Sequence, residues 1–313
     1  MTARLVLPSL LAVLLALPAT AQADGPPITS LDAGREGVIE LGGGERFTAH
    51  PLGTATVLTR SQTEGGRVIR ASIQEGRWGV PVVANDGTSG GLSADGSTLV
   101  LMRIAKAYPR ANTAFAVVDT NQLAIRERID LEGEWGFDAL SPDGRWLYLV
   151  EQLSARDRTR YAVRVYDLKS DRLLPDPVVD PREPDEPMRG LPITRSTGPG
   201  GRWEYTLYAG GEHPFIHALD TVRRTSLCLD LPHSVAKHRR IWALRLAVRK
   251  GRVAVLHGDR TVASAARRPR RASVGGGPPW LVGAAGLAGL LLVAGRVRRA
   301  TAQAASRRRR ELR

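Results

Sequence analysis

The chain has 313 residues but a single cysteine, Cys228, so an intramolecular disulfide is excluded. Its apolar neighbours in Ser226-Leu227-Cys228-Leu229 make it read as a buried, inert thiol. Catalytic signatures are missing too. There is no G-x-S-x-G, H-E-x-x-H, P-loop or paired-glycine dinucleotide fingerprint, and Gly42-Gly43-Gly44 lacks the strand-helix context a phosphate cradle needs. His213 and His217 have i, i+4 spacing, but Pro214 argues against a helix. In a strand they lie ~13 Å apart, so they read as turn and surface histidines. No metal or cofactor site is expected.

The folded body also lacks a charge surplus. The formal net charge is +14, but residues 267–313 hold twelve Arg and one Glu. With Arg4 set aside as well, about +2 remains for Asp24–Ala266, which excludes a basic nucleic-acid face. The charge sits with addressing signals. Residues 1–23 have a basic start, a short apolar core and Ala21-Gln22-Ala23, as in a secretory signal peptide. Residues 267–279 read as an Arg/Gly/Pro linker and 280–297, WLVGAAGLAGLLLVAGRV, as a transmembrane helix. A basic tail, 298–313, follows and is expected to stay cytoplasmic. These signals predict an exported protein in the cell membrane, with residues 24–266 outside.

One unit recurs in that body. Leu140–Val150 reads LSPDGRWLYLV, a Ser-Pro-Asp-Gly turn followed by a strand. Leu92–Met102 (LSADGSTLVLM) and Thr197–Tyr208 (TGPGGRWEYTLY) repeat it, and Val248–Leu256 (VRKGRVAVL) is a weaker copy. The turn glycines Gly96, Gly144, Gly201 and Gly251 are 48, 57 and 50 residues apart. Such a period predicts an all-β fold, a β-propeller of about five blades (four to six). A second recurring strand ends in Asp119, Asp167 or Asp220, each expected to cap a turn. Gly37–Leu41 (GVIEL) is expected to complete the last blade, whose repeat looks truncated after Thr261. Pro175–Pro192, with six prolines, is expected to form an extended surface loop.

The LSPDGRWLYLV and YAVRVYDL pair resembles the repeats of YVTN-type and TolB-like bacterial propellers, over roughly Thr54–Leu256. The WD dipeptide of eukaryotic-type repeats is absent. The resemblance implies the fold; its members include ligand-binding, protein-docking and lactone-hydrolysing proteins, so it does not select a function.

Residues preceding the repeated turns are expected at one mouth of the central channel. Asp86, Asp138 and Arg195 are the ligand-binding candidates there. Asp176, Asp180, Glu183, Asp185 and Glu186 form an acidic loop suited to a basic partner, without the D-x-D-x-D-G pattern of a calcium loop. The resulting expectation is a non-enzymatic binding or interaction scaffold for a protein or envelope component. A lactonase- or glycosidase-like hydrolase using Asp86 and Asp138 is the alternative. Intact-mass measurement on protein extracted from membranes should place the N-terminus at Asp24 and retain residues 280–297. A C-terminus before Trp280 would show processing instead of anchoring.

Overall fold

The computed structural model describes residues 32–34, 37–186, 188–209, 213–236, 241–249 and 252–266. The expected signal peptide, linker, membrane helix and tail, and the turn glycine Gly251, lie outside them. Among the described residues no helix is long and apolar enough to cross a membrane.

The described chain is built from five antiparallel sheets. A short strand β1 (Asp32–Gly34) precedes the first sheet, which is β2 (Val38–Ile39), β3 (Glu45–Leu52), β4 (Ala55–Gln62) and β5 (Val68–Glu75). The second contains β6 (Trp78–Val82), β7 (Thr98–Arg103), β8 (Asn112–Asp119) and β9 (Ala124–Glu132), with β1 added beside β6. The third comprises β10 (Trp135–Leu140), β11 (Trp146–Gln152), β12 (Arg160–Asp167), β13 (Arg172–Leu173) and β14 (Met188–Arg189). The fourth is β15 (Leu191–Thr197), β16 (Trp203–Ala209), β17 (Phe215–Asp220) and β18 (Thr225–Asp230). The fifth has only β19 (Leu244–Arg249), β20 (Arg252–His257) and β21 (Arg260–Ala266).

Consecutive sheets pack face to face, as propeller blades do. Phe47, Leu58, Trp78 and Leu99 join the first to the second; Val100, Phe115, Phe137 and Leu147 join the second to the third. Tyr148, Val163 and Leu219 join the third to the fourth, and Trp203, Tyr205, Leu244 and Val255 the fourth to the fifth. No buried apolar cluster among the described residues joins the fifth sheet to the first. Expected closure by Gly37–Leu41 is not what is found: Val38 and Ile39 pair with Phe47 and Arg46 inside the first sheet.

The sheet boundaries also fall one strand earlier than the repeated turn suggests. The Ser-x-Asp-Gly turn links the innermost strand to the second, β6 to β7 and β10 to β11, so Trp78–Val82 opens the second sheet. Both turns use one geometry. Ser141 Oγ donates to Asp143 (2.6 Å) and accepts from Trp146 N (2.8 Å); Ser93 does the same with Asp95 (2.6 Å) and Thr98 N (3.0 Å). Gly144 has φ +68°, and a Cβ there would lie 2.6 Å from Thr98 Oγ1, so the turn needs glycine for conformation and for its neighbouring turn. Asp119, Asp167 and Asp220 cap the following turns through the backbone N–H groups of Asn121, Lys169 and Val222.

Two seams share a second device. Trp78 Nε1 donates to Glu75 O and Trp135 Nε1 to Glu132 O, each at 2.7 Å. The backbone N–H of Trp78 donates to Thr56 Oγ1 at 2.8 Å and that of Trp135 to Thr113 Oγ1 at 3.0 Å. Those hydroxyls donate onward to Gly76 O and Gly133 O at 2.7 and 2.8 Å. Replacing Thr113 with Val keeps its shape and strands two buried backbone groups. We expect a loss of about 1–3 kcal/mol in urea unfolding; an unchanged midpoint would show that this bridge does not hold the seam.

Candidate functional site

The polar centre lies where the innermost strands of the third and fourth sheets face each other. β10 carries a bulge between Phe137 and Ala139, which leaves Asp138 outside the ladder register and free to turn its carboxylate away from the sheet. β15 is bulged between Pro192 and Thr194, and Arg195 follows it. In the fourth sheet Arg195 stands opposite Thr206 and Thr197 opposite Glu204, so these four side chains share one face.

Arg195 and Asp138 form a buried ion pair, with side chains 6% and 2% exposed. The two terminal nitrogens of Arg195 donate to Asp138 O and Oδ1, and its Nε donates to Thr206 Oγ1 at 2.9 Å. All three guanidinium nitrogens are therefore committed. Burial opposes the Arg195 charge, but the Asp138 and Glu204 carboxylates outweigh it and hold the pKa above its ordinary value. Asp138 Oδ2, also buried, makes no hydrogen bond.

A pocket of about 110 Å³ opens beside this pair, lined by Asp138, Arg195, Thr197 and Glu204 with Val38, Ile39, Leu41, Phe137 and Leu140. Glu204 Oε2 accepts from Thr197 Oγ1 at 2.9 Å. Glu204 is half-buried in the pocket wall. That burial pushes its carboxyl up to about 7, against the attraction of Arg195.

The polar face continues inwards. His217 stands opposite Thr206, and its ring meets Tyr208 edge-on with centroids 6.3 Å apart. Tyr208 also contacts Tyr161 (5.6 Å) and Phe215 (5.3 Å). His217 is 1% exposed, which corrects its expected surface place: alternation along FIHALD turns it towards the third sheet. Burial lowers its pKa to about 4, so the ring is neutral. His213 is half-buried beside Asp230 at 2.9 Å. The two histidines make no pair.

Asp86 is brought to neither Asp138 nor the pocket. It caps its own turn through Thr88 and lies 3.6 Å from Arg245 of the fifth sheet. Its neighbour Asn85 bonds Pro192 O through both its backbone N–H and its Nδ2, so this hairpin tip crosses to β15. The Asp86–Asp138 carboxylate pair is thus not assembled, because Asp86 lies four residues further from its repeated turn than Asp138 does.

The acidic loop divides. Asp176, Glu183, Asp185 and Glu186 are exposed, but Asp180 is buried, accepting from Arg182 (2.5 Å) and from Cys228 N (2.8 Å). Val178 is buried and bridges to Val163, and Met188–Arg189 pairs with β12, so this segment is pinned to the third sheet and is not a wholly extended surface loop. Ligand-type atoms of Asp180, Glu183 and Cys228 lie within 4.8 Å of one another. Arg182 already neutralises Asp180, and burial pushes the Cys228 thiol up to about 12, a poor state for a metal ligand. Cys228 itself is half-buried.

Sequence reasoning missed Glu204, although a signal was present. It occupies the place held by the buried leucines Leu99 and Leu147 in the other copies of the turn-strand unit. A carboxylate at a core position of a repeat marks a departure from the scaffold.

No family model matches the chain, and no curated protein matches it. Among solved structures it is similar to hydrazine synthase from Kuenenia stuttgartiensis (16% identity, 59% of this chain and 52% of that one, TM-score 0.39). TolB from Acinetobacter baumannii is similar at 14% identity (64% and 43%, TM-score 0.37). A protein of unknown function from Desulfotomaculum acetoxidans is similar at 14% (71% and 62%, TM-score 0.43). The chain spans less than two thirds of the length of each. At these TM-scores nothing about activity, substrate or partner passes to this chain.

The raised Glu204 pKa has a definite consequence for stability. Its contribution is fully present below the ordinary 4.5 and is lost as pH rises through about 7. The melting temperature should therefore fall between pH 5 and 8, and Glu204→Gln should flatten that decline. An identical slope in both proteins would show that Glu204 titrates normally.

Proposed function

We propose that this protein is an exported, membrane-held propeller scaffold that binds a small ligand in the pocket between Asp138, Arg195 and Glu204. The observation carrying this reading is a pocket lined by two carboxylate residues, Glu204 and Asp138, the second with a buried Oδ2 that has no hydrogen-bond partner. A buried carboxylate oxygen without a donor costs about 1–3 kcal/mol or more, which a bound donor recovers. Export and anchoring rest on residues 1–23 and 280–297 of the sequence. The exposed part of the acidic loop offers a second surface, for a basic protein partner.

A hydrolytic reading has one observation in its favour. Glu204 titrates near neutrality beside a second carboxylate, as a general acid requires. Against it, one oxygen of Asp138 is held by Arg195 and the pocket is small for a sugar ring.

A thermal-shift screen of small polar molecules on the full chain should find ligands that stabilise the wild type and lose their effect in Glu204→Gln. No stabilising ligand would overturn the binding reading. Turnover of chromogenic ester, lactone or glycoside substrates, abolished by Glu204→Gln, would establish the hydrolase.

A further inference from the structure

We propose that the Asp138–Glu204 pocket is selective for a small organic cation, a primary ammonium on a short apolar body. This rests on the binding reading above and names the ligand class. Three features lead to it. First, the lining carries two carboxylates: Asp138, whose buried Oδ2 has no hydrogen-bond partner, and Glu204. Secondly, no cation in the lining is free to meet an anion. Arg195 is the only basic residue among the lining residues; three of its five N–H groups donate to Asp138 and Thr206, and its charge is paired with Asp138. With Arg195 and Asp138 offsetting each other, an anionic ligand would meet the uncompensated Glu204 carboxylate. Of the lining hydroxyls, those of Thr88, Ser93 and Thr197 already donate to Asp86, Asp95 and Glu204, and the Ser89 hydroxyl is neutral and can accept from a cation as well as donate.

Thirdly, the remaining wall is apolar. Val38, Ile39 and Leu41 come from the first sheet, and Phe137 and Leu140 from the third. A bare inorganic cation prefers six or more oxygens and gains nothing from such a wall. An ammonium with a short alkyl chain uses both halves, donating to the carboxylates while its methylenes cover the aliphatic side chains. The space, about 110 Å³, is several times the ~10–15 Å³ that one water needs on the same measure, so it has room for a short organic ligand.

The groups facing Glu204 are Arg195 and Asp138 from the neighbouring strands and the Thr197 hydroxyl beside it. Glu204 changes charge near neutrality, with its carboxyl at about 7. A cation therefore binds its ionised form and releases a proton on binding below that pH.

Calorimetric titration of the full chain with n-propylammonium, 1-propanol, propionate and inorganic ammonium tests this. Propylammonium should bind, roughly tenfold more tightly at pH 8 than at pH 6, as the ionised fraction of Glu204 rises. Propanol and propionate should not bind. Glu204→Gln should weaken propylammonium at least tenfold and remove the pH dependence while melting cooperatively. Should that variant not fold, Leu41→Trp, which fills the pocket from its rim, should abolish binding instead. Binding of propionate or propanol in preference to propylammonium overturns the cation inference and leaves the binding reading standing. Equal binding of inorganic ammonium overturns the organic part. A pocket that takes none of the four overturns the inference, and the screen of other ligands then decides the binding reading separately.

Discussion

The Asp138–Arg195 ion pair is the constraint that the centre of this molecule depends on. Two charges lie between the third and fourth sheets, where moving each out of water costs several kcal/mol. They are tolerated because every nitrogen of Arg195 has an acceptor and because two β-bulges place the side chains head to head. Removing one partner would leave the other buried and unpaired. The pair thereby sets the separation of β10 and β15, and with it the shape of the adjacent pocket.

The first-to-second and second-to-third seams repeat one arrangement, in which Thr56 or Thr113 bridges a glycine carbonyl to the backbone of Trp78 or Trp135. The third-to-fourth seam departs from it. The Pro175–Pro192 insertion replaces the tryptophan linkage, and the facing surface carries Arg195, Glu204, Thr206, Tyr208 and His217 among its residues. Polar groups at a core position lower stability unless something compensates, and this seam gathers several of them.

Local chemistry made much of the architecture legible. Ser-x-Asp-Gly turns, strand alternation and the capping Asp119, Asp167 and Asp220 all act within a few residues, and the number of sheets followed from their period. The innermost strands were harder to read. Trp78–Val82 and Trp135–Leu140 begin with the shared pattern Glu-Gly-x-Trp-Gly, a repeat that marks the true sheet boundary and is visible in the sequence. It was overshadowed because the turn glycines that follow are the more conspicuous periodic feature.

The sequence by itself determined that the chain would form about five short antiparallel sheets and where the Ser-x-Asp-Gly turns and the strands that follow them lie, because turn dihedrals and strand alternation are local properties. Only the tertiary structure decided which charges meet. Asp138 lies 57 residues from Arg195 and 66 from Glu204, and Asp86, chosen on the same reasoning, went to Arg245. Whether a carboxylate is paired, solvated or raised towards neutrality depends on bulge positions and on the neighbouring sheet's face, and these are settled when the sheets pack.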